Sequence, residues 1–323
     1  MEDVERAEER LHNIRSVKPI LNGLRTISLG SWQAALKRRS GVRAYAEQLK
    51  AVLPALVPHL RTDQSIADRL RERLSARSIL SGRRAPGNEA SSRPVEVEAL
   101  VIGSERGLCG RFNAAVAGEA ERYLHRQSAE GVHVELEVLG SRAQRALSRR
   151  GYEADPAGML SVTTLPSLAL AFELARQWLT AYEARKLDAV DLIYNDYRGT
   201  GTYEPTVTQL IPPQLPAGEA SRSAEGGSIQ SAIPWPPPII DTDPMSLYAT
   251  VVEQWTAVQL YRVLLDSSAA EHSTRFQLME SATQNADQLI EELTLTIQTA
   301  RRQEITQEMA ELAAGAGLLG DKR

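Results

Sequence analysis

Apolar positions at the two ends of the chain recur with a helical period, while those between them come in short runs separated by helical stretches. From about residue 3 to 50, apolar side chains fall at Val4, Ala7, Leu11, Ile14, Val17, Leu21, Leu24 and Ile27. These steps of three or four residues average near the repeat of a two-helix seam. Pro19 predicts a kink or a break near Val17–Lys18, because it lacks a backbone donor and its ring crowds the preceding turn. Gly23 and Gly30 weaken the helix further, by about 1 kcal/mol each relative to alanine.

The last 80 residues give the clearest pattern. Asp243 followed by Pro244 predicts a helix start, and no proline or glycine follows from Met245 to Ala314. Apolar residues recur at Leu260, Leu264, Ala282, Ala286, Leu289, Leu293, Ile297, Ala300, Ile305, Met309 and Leu312. A helix of roughly 70 residues spans about 105 Å, about twice the diameter expected of a compact globule of this chain length. It is therefore expected to project and to need a partner for its stripe. The N-terminal helix is the nearest candidate. Residues 1–60 carry ten Lys/Arg and six Asp/Glu, whereas residues 244–323 carry six and eleven, so the two ends have opposite net charge. The N-terminal helix is the shorter, which leaves the apolar tip "ELAAGAGLL", with Leu312 and Leu318, to be covered by something outside the chain.

Between the ends, "VEVEALVIG" (Val95–Gly103), "VHVELEVLG" (Val132–Gly140), "LDAVDLIYND" (Leu187–Asp196) and "TVTQLIP" (Thr206–Pro212) read as strands. Helical patterns over "RFNAAVAGEAERYLHRQ", "SRAQRALSRRG" and "LPSLALAFELARQWLTAYEARK" separate the first three. Alternation of this kind predicts a small, largely parallel α/β domain. The expected organisation is a coiled-coil helix over 1–60, a helical connector and linker over 61–94, the α/β domain over 95–212, a Pro/Gly/Ser-rich loop over 213–243 and a long coiled-coil helix over 244–323. The fold class is thus a Rossmann-like α/β domain inserted between long N- and C-terminal helices that form an antiparallel coiled coil.

Composition narrows the chemistry. A net charge of −4 over 323 residues argues against a nucleic-acid binder. The single cysteine, Cys109, allows no internal disulfide and suits a reducing compartment. The first residues lack the apolar core of a signal peptide, and no apolar run is long enough to span a membrane. The histidines (His12, His59, His125, His133, His272) are scattered and offer no metal-ligand spacing, so no metal and no cofactor is expected. In "SERGLCGRFN", Gly103, Gly107 and Gly110 fail the G-x-G-x-x-G spacing and the stretch lacks a P-loop's G-K-[ST]. Cys109 would need a base brought by the fold, and the stretch reads as a turn joining a strand to a helix. Glu291/Glu292 and Glu308/Glu311 read as solvated helix faces. "LKRR" (Leu36–Arg39) could face an acidic partner or solvent. For "ARRQEIT", with Arg301, Arg302 and Thr306 near the free end, partner surface and solvated face both stay open.

The segment "EHSTRFQLMESATQNADQLIEELTLTIQTARRQEITQEMAEL" resembles the C-terminal signature of the γ subunit of F-type ATP synthases. "RGLCGRFN" resembles that family's central turn, and "IRSV" part of its N-terminal helix. The resemblance implies a central rotor shaft without a catalytic site, standing in a hexamer of three α and three β subunits, with its α/β domain near the ε subunit and the c-ring. It implies rotation that couples proton or sodium translocation to ATP synthesis or hydrolysis, and a peripheral location on the cytoplasmic face of the cell membrane. Arg301 and Thr306 match family positions that contact a β-subunit loop, and Arg302 stands where glutamine is common. Leu312 and Leu318 belong to the tip that would turn in a bearing at the closed end of the hexamer. "ILNGLRTISLGS" (Ile20–Ser31) departs from the family's I-T-K-A-M-E-M-V-A-A-S-K pattern, with Ser31 at its terminal lysine position. The departure implies a diverged paralogue from a second ion-translocating ATPase. Rival readings are a coiled-coil scaffold with an α/β head that transmits no torque and, third, an enzyme with a small-molecule site near Cys109.

Overall fold

The computed structural model describes residues 2–60, 95–161, 163–213 and 241–315. The elements in chain order are α1 (Glu2–Leu60), β1 (Glu96–Ile102), α2 (Phe112–Ala129), β2 (His133–Leu139), α3 (Ser141–Ser148), β3 (Asp155–Gly158), α4 (Leu168–Glu183), β4 (Ala189–Gly199), β5 (Thr202–Ile211) and α5 (Pro244–Gly315). The expected connector over 61–94 and most of the loop over 213–243 lie outside the described residues. The chain divides into two compact units. One comprises Met1–Gly30 with Arg275–Arg323, the other Ser31–Thr274.

In the larger unit a five-stranded sheet has the order β3-β2-β1-β4-β5. β1, β2, β3 and β4 run parallel, and β5 returns antiparallel to β4 through a tight hairpin. Side chains alternate across the sheet. Ala99, Val101, Val138 and Ile193 point to one face, where α2 and α3 cover them with Val116, Ala120, Ala143 and Leu147. Leu100, Ile102, Leu139 and Leu192 point to the other. There they meet Leu174 and Trp178 of α4, Ala35 of α1 and Leu260 and Leu264 of α5. β3 is absent from the sequence reading: Asp155-Pro-Ala-Gly158 has neither alternation nor β-branched residues, and it is a strand only through pairing with β2.

Two glycines hold the strand ends together. A Cβ on Gly103 would lie 2.2 Å from the Cβ of Ala143, and Gly140 has φ +105° against the backbone of Gly103 and Ser104. Only glycine permits this approach of β1, β2 and α3.

In the smaller unit, the start of α1 packs against the end of α5. Ala7, Leu11 and Ile297 are buried together, with Val4, Ile290 and Leu293 against them. α1 runs unbroken through Pro19, so of the two expected outcomes, a kink or a break, the break does not occur. Pro19 is exposed, so its ring faces water and the carbonyl of Arg15 that loses its partner can be hydrated.

The buried line also corrects the seam. It follows residues 4, 7, 11, 14, 18, 21, 25 and 28 on α1 and 276, 279, 283, 286, 290, 293, 297 and 300 on α5, strictly alternating steps of three and four. Val17, Ile27 and Leu289 face outward, and Lys18, Ser28 and Ile290 take the inward positions. Long cations can lay their methylene stems along such a seam and keep the charge wet. At the start of α5 the Asp243 carboxylate accepts from the Ser246 N–H at 2.8 Å. This bond holds its pKa below the ordinary carboxylate value and makes it the expected cap.

Candidate functional site

The turn after β1 occupies the position at which open α/β sheets bind nucleotides, outside the carboxyl ends of the strands. Here that position is filled by the protein itself. Cys109 and Phe112 are buried against Ala270 of α5, with Tyr197 and Tyr203 alongside. The Cys109 thiol lies 3.4 Å from Asn113 Nδ2 and 3.6 Å from Ser104 Oγ, with no histidine among these partners. Asn113 in turn accepts from the Ser104 N–H at 3.0 Å. The N-terminus of α3, where a phosphate would sit, is taken by Glu105, whose carboxylate accepts from the Ser141 N–H at 3.2 Å. The stretch is a packed turn, as the glycine spacing predicts.

The free end of α5 has a different character. Arg301 forms an ion pair with Glu8 of α1, while Arg302 is exposed and the Thr306 hydroxyl donates to its carbonyl at 2.7 Å. Beyond Ala300 the described helix is solvent-facing throughout apart from Ala313. Ile305, Met309 and Leu312 lie open, Leu312 at 74% exposure. Leu318 lies outside the described residues. The seam, continued past Ala300, falls on Glu304, Gln307 and Glu311. Ile305, Met309 and Leu312 are turned about 140° from that line at 3.6 residues per turn. Their stripe therefore faces away from the side that pairs with α1.

A third cluster escaped the sequence reading. Arg39, the last residue of "LKRR", reaches inward to the buried Asp266 at 2.7 Å. Burial pushes the Asp266 carboxyl up to about 6, against the opposing pull of Arg39. Arg198 pairs nearby with Asp196 at 3.2 Å and with Glu204 at 2.8 Å. A carboxylate four residues from Arg262 on a helix looks like an ordinary surface charge, and only tertiary packing reveals its burial.

The ATP synthase family model matches residues 3–319. A curated relative, the ATP synthase gamma chain of Granulibacter bethesdensis, is 30% identical over 96% of this chain and 97% of its own length. The chain belongs to the ATP synthase gamma chain family. The gamma chain of Rubrobacter xylanophilus is 28% identical over 97% of each chain. A chain of the mitochondrial ATP synthase central stalk and c-ring of Tetrahymena thermophila shares the fold. It has a TM-score of 0.51 and 19% identity, and the match covers 81% of this chain and 99% of that one. As a gamma chain the protein is the central rotor shaft of an ATP synthase, a subunit of a larger ATPase complex. Among the described residues, no helix is long and apolar enough to cross a membrane.

Proposed function

We propose that this chain is a non-catalytic rotor. It turns inside a hexamer of three α and three β subunits and couples proton or sodium translocation to ATP synthesis or hydrolysis. Its sheet domain meets the ε subunit and the c-ring, on the cytoplasmic face of the membrane. The observation that carries the reading is the end of α5, whose exposed stripe at Ile305, Met309 and Leu312 points away from α1 and so calls for a surface outside the chain. Arg301, Arg302, Thr306, Leu312 and Leu318 are the proposed contacts with the hexamer. In thermodynamic terms the angle of the shaft is the effector: each β subunit's conformational equilibrium is biased by the side of the shaft it meets. The N-terminal departures, Pro19 and Ser31 among them, support a diverged paralogue serving a second ATPase.

The test is co-expression with the α and β subunits of the same genome, followed by size-exclusion chromatography and an ATPase assay. A complex of three α, three β and one shaft is expected, with turnover lost when residues 301–323 are removed. Failure to join any such hexamer would favour the scaffold reading.

A further inference from the structure

The seam between α1 and α5 is not apolar throughout. Two of its α1 positions are cations one heptad apart, Lys18 and Arg25, and they meet anions one heptad apart on α5. Lys18 pairs with Asp287, and Arg25 with Glu280 at 2.8 Å. Nearer the free end the polarity reverses, with Glu8 on α1 pairing with Arg301 on α5. We infer that these three ion pairs fix the register of the shaft, acting as a lock against heptad slippage.

Apolar packing alone leaves the register loosely set, because a heptad seam nearly repeats every seven residues. If α1 slid seven positions toward the start of α5, Ala7 would meet Ile290 and Leu11 would meet Ala286, still apolar against apolar. Lys18 would then face Glu280, but Arg25 would face Ser273 and Asp287 would face Leu11. If α1 slid the other way, Arg25 would meet Asp287, but Lys18 would face Thr294 and Glu8 would face Glu308. Either slip forfeits ionic partners, and one brings like charges together. Pairs as exposed as these add little to overall stability. They act on the difference between registers, the best-attested role of polar groups at such positions. For a shaft the register sets both its length beyond the partner helix and the angular position of its tip.

The test is disulfide trapping in the full-length chain, with buried Cys109 left in place. Leu11→Cys with Leu293→Cys reports the native register, since both side chains lie in one cluster. Leu11→Cys with Ala286→Cys or with Ala300→Cys reports a slip of one heptad. The native pair alone is expected to cross-link efficiently. Charge reversal by Lys18→Glu and Arg25→Glu should raise trapping at a slipped pair at least fivefold, and adding Glu280→Lys and Asp287→Lys should restore the native pattern. Trapping confined to the native pair after reversal would overturn the lock. So would loss of the native cross-link with no gain at a slipped one, which would mean that the charges only support pairing.

Discussion

Asp266 and Glu137 each keep a carboxyl group in surroundings that disfavour its charge, and both make stability depend on pH in the same sense. Asp266 is buried on α5, with Arg39, Arg262 and Arg198 pulling its pKa down and Asp196 pushing it up; burial dominates and raises it from 3.8 to about 6. Glu137 on β2 is raised to about 8 by burial, with Glu98, Asp155 and Glu135 adding to the rise. A group whose pKa is raised on folding contributes stability that is complete below its unfolded value and is lost as pH rises through the folded one. Asp266→Asn should therefore raise the urea midpoint at pH 7.5 and leave it unchanged near pH 3.5. Glu137→Gln should flatten the decline in stability between about pH 5 and 8. Urea titrations from pH 3.5 to 8.5 check both, and a Gln variant that steepened this decline would contradict the assignment. Gly103→Ala should cost about 1–3 kcal/mol in the same assay, because the added methyl overlaps Ala143 and the strand end cannot retreat from it.

At the scale of single elements the sequence was most legible where burial is one-sided and regular. The α5 start at Asp243-Pro244 and three of the four parallel strands follow from local chemistry that the fold does not overrule. The seam was read less well, because tracing hydrophobic residues selects Val17, Ile27 and Leu289, whereas the inward positions are Lys18, Ser28 and Ile290. A charged residue with an ion partner can occupy a seam, and no hydrophobicity pattern shows where the partner stands. β3 was invisible for the opposite reason, since its pairing is supplied wholly by its neighbour. Pro19 leaves no break because it lies on an exposed face of a helix that continues for many residues on both sides. Pro19→Ala restores a backbone donor on an exposed face and should raise thermal stability of the full chain, by up to about 3 kcal/mol. At the other helix, Met309→Ser changes a side chain that touches solvent and should alter stability by less than about 0.5 kcal/mol. It should nonetheless lower the ATPase rate of the reconstituted hexamer, an effect that unfolding curves on the free chain would not reveal.

For the molecule as a whole, the candidate site was half legible. The length of α5 and its apolar end follow from the sequence, but the turn of the stripe away from the seam appears only once the seam is known. The carboxylate of Glu105 at the start of α3, and the packing of Phe112 against Ala270, carry a consequence for life among nucleotides. Proteins that bind a ligand in the folded state are stabilised in proportion to the logarithm of its concentration. A domain of this topology with an open cradle would stiffen or relax as ATP and ADP levels changed. With the cradle filled by its own side chains, the thermal midpoint of this chain should not move between zero and 5 mM ATP in a melting experiment. A drive shaft built this way keeps the same compliance in a starved cell and a fed one.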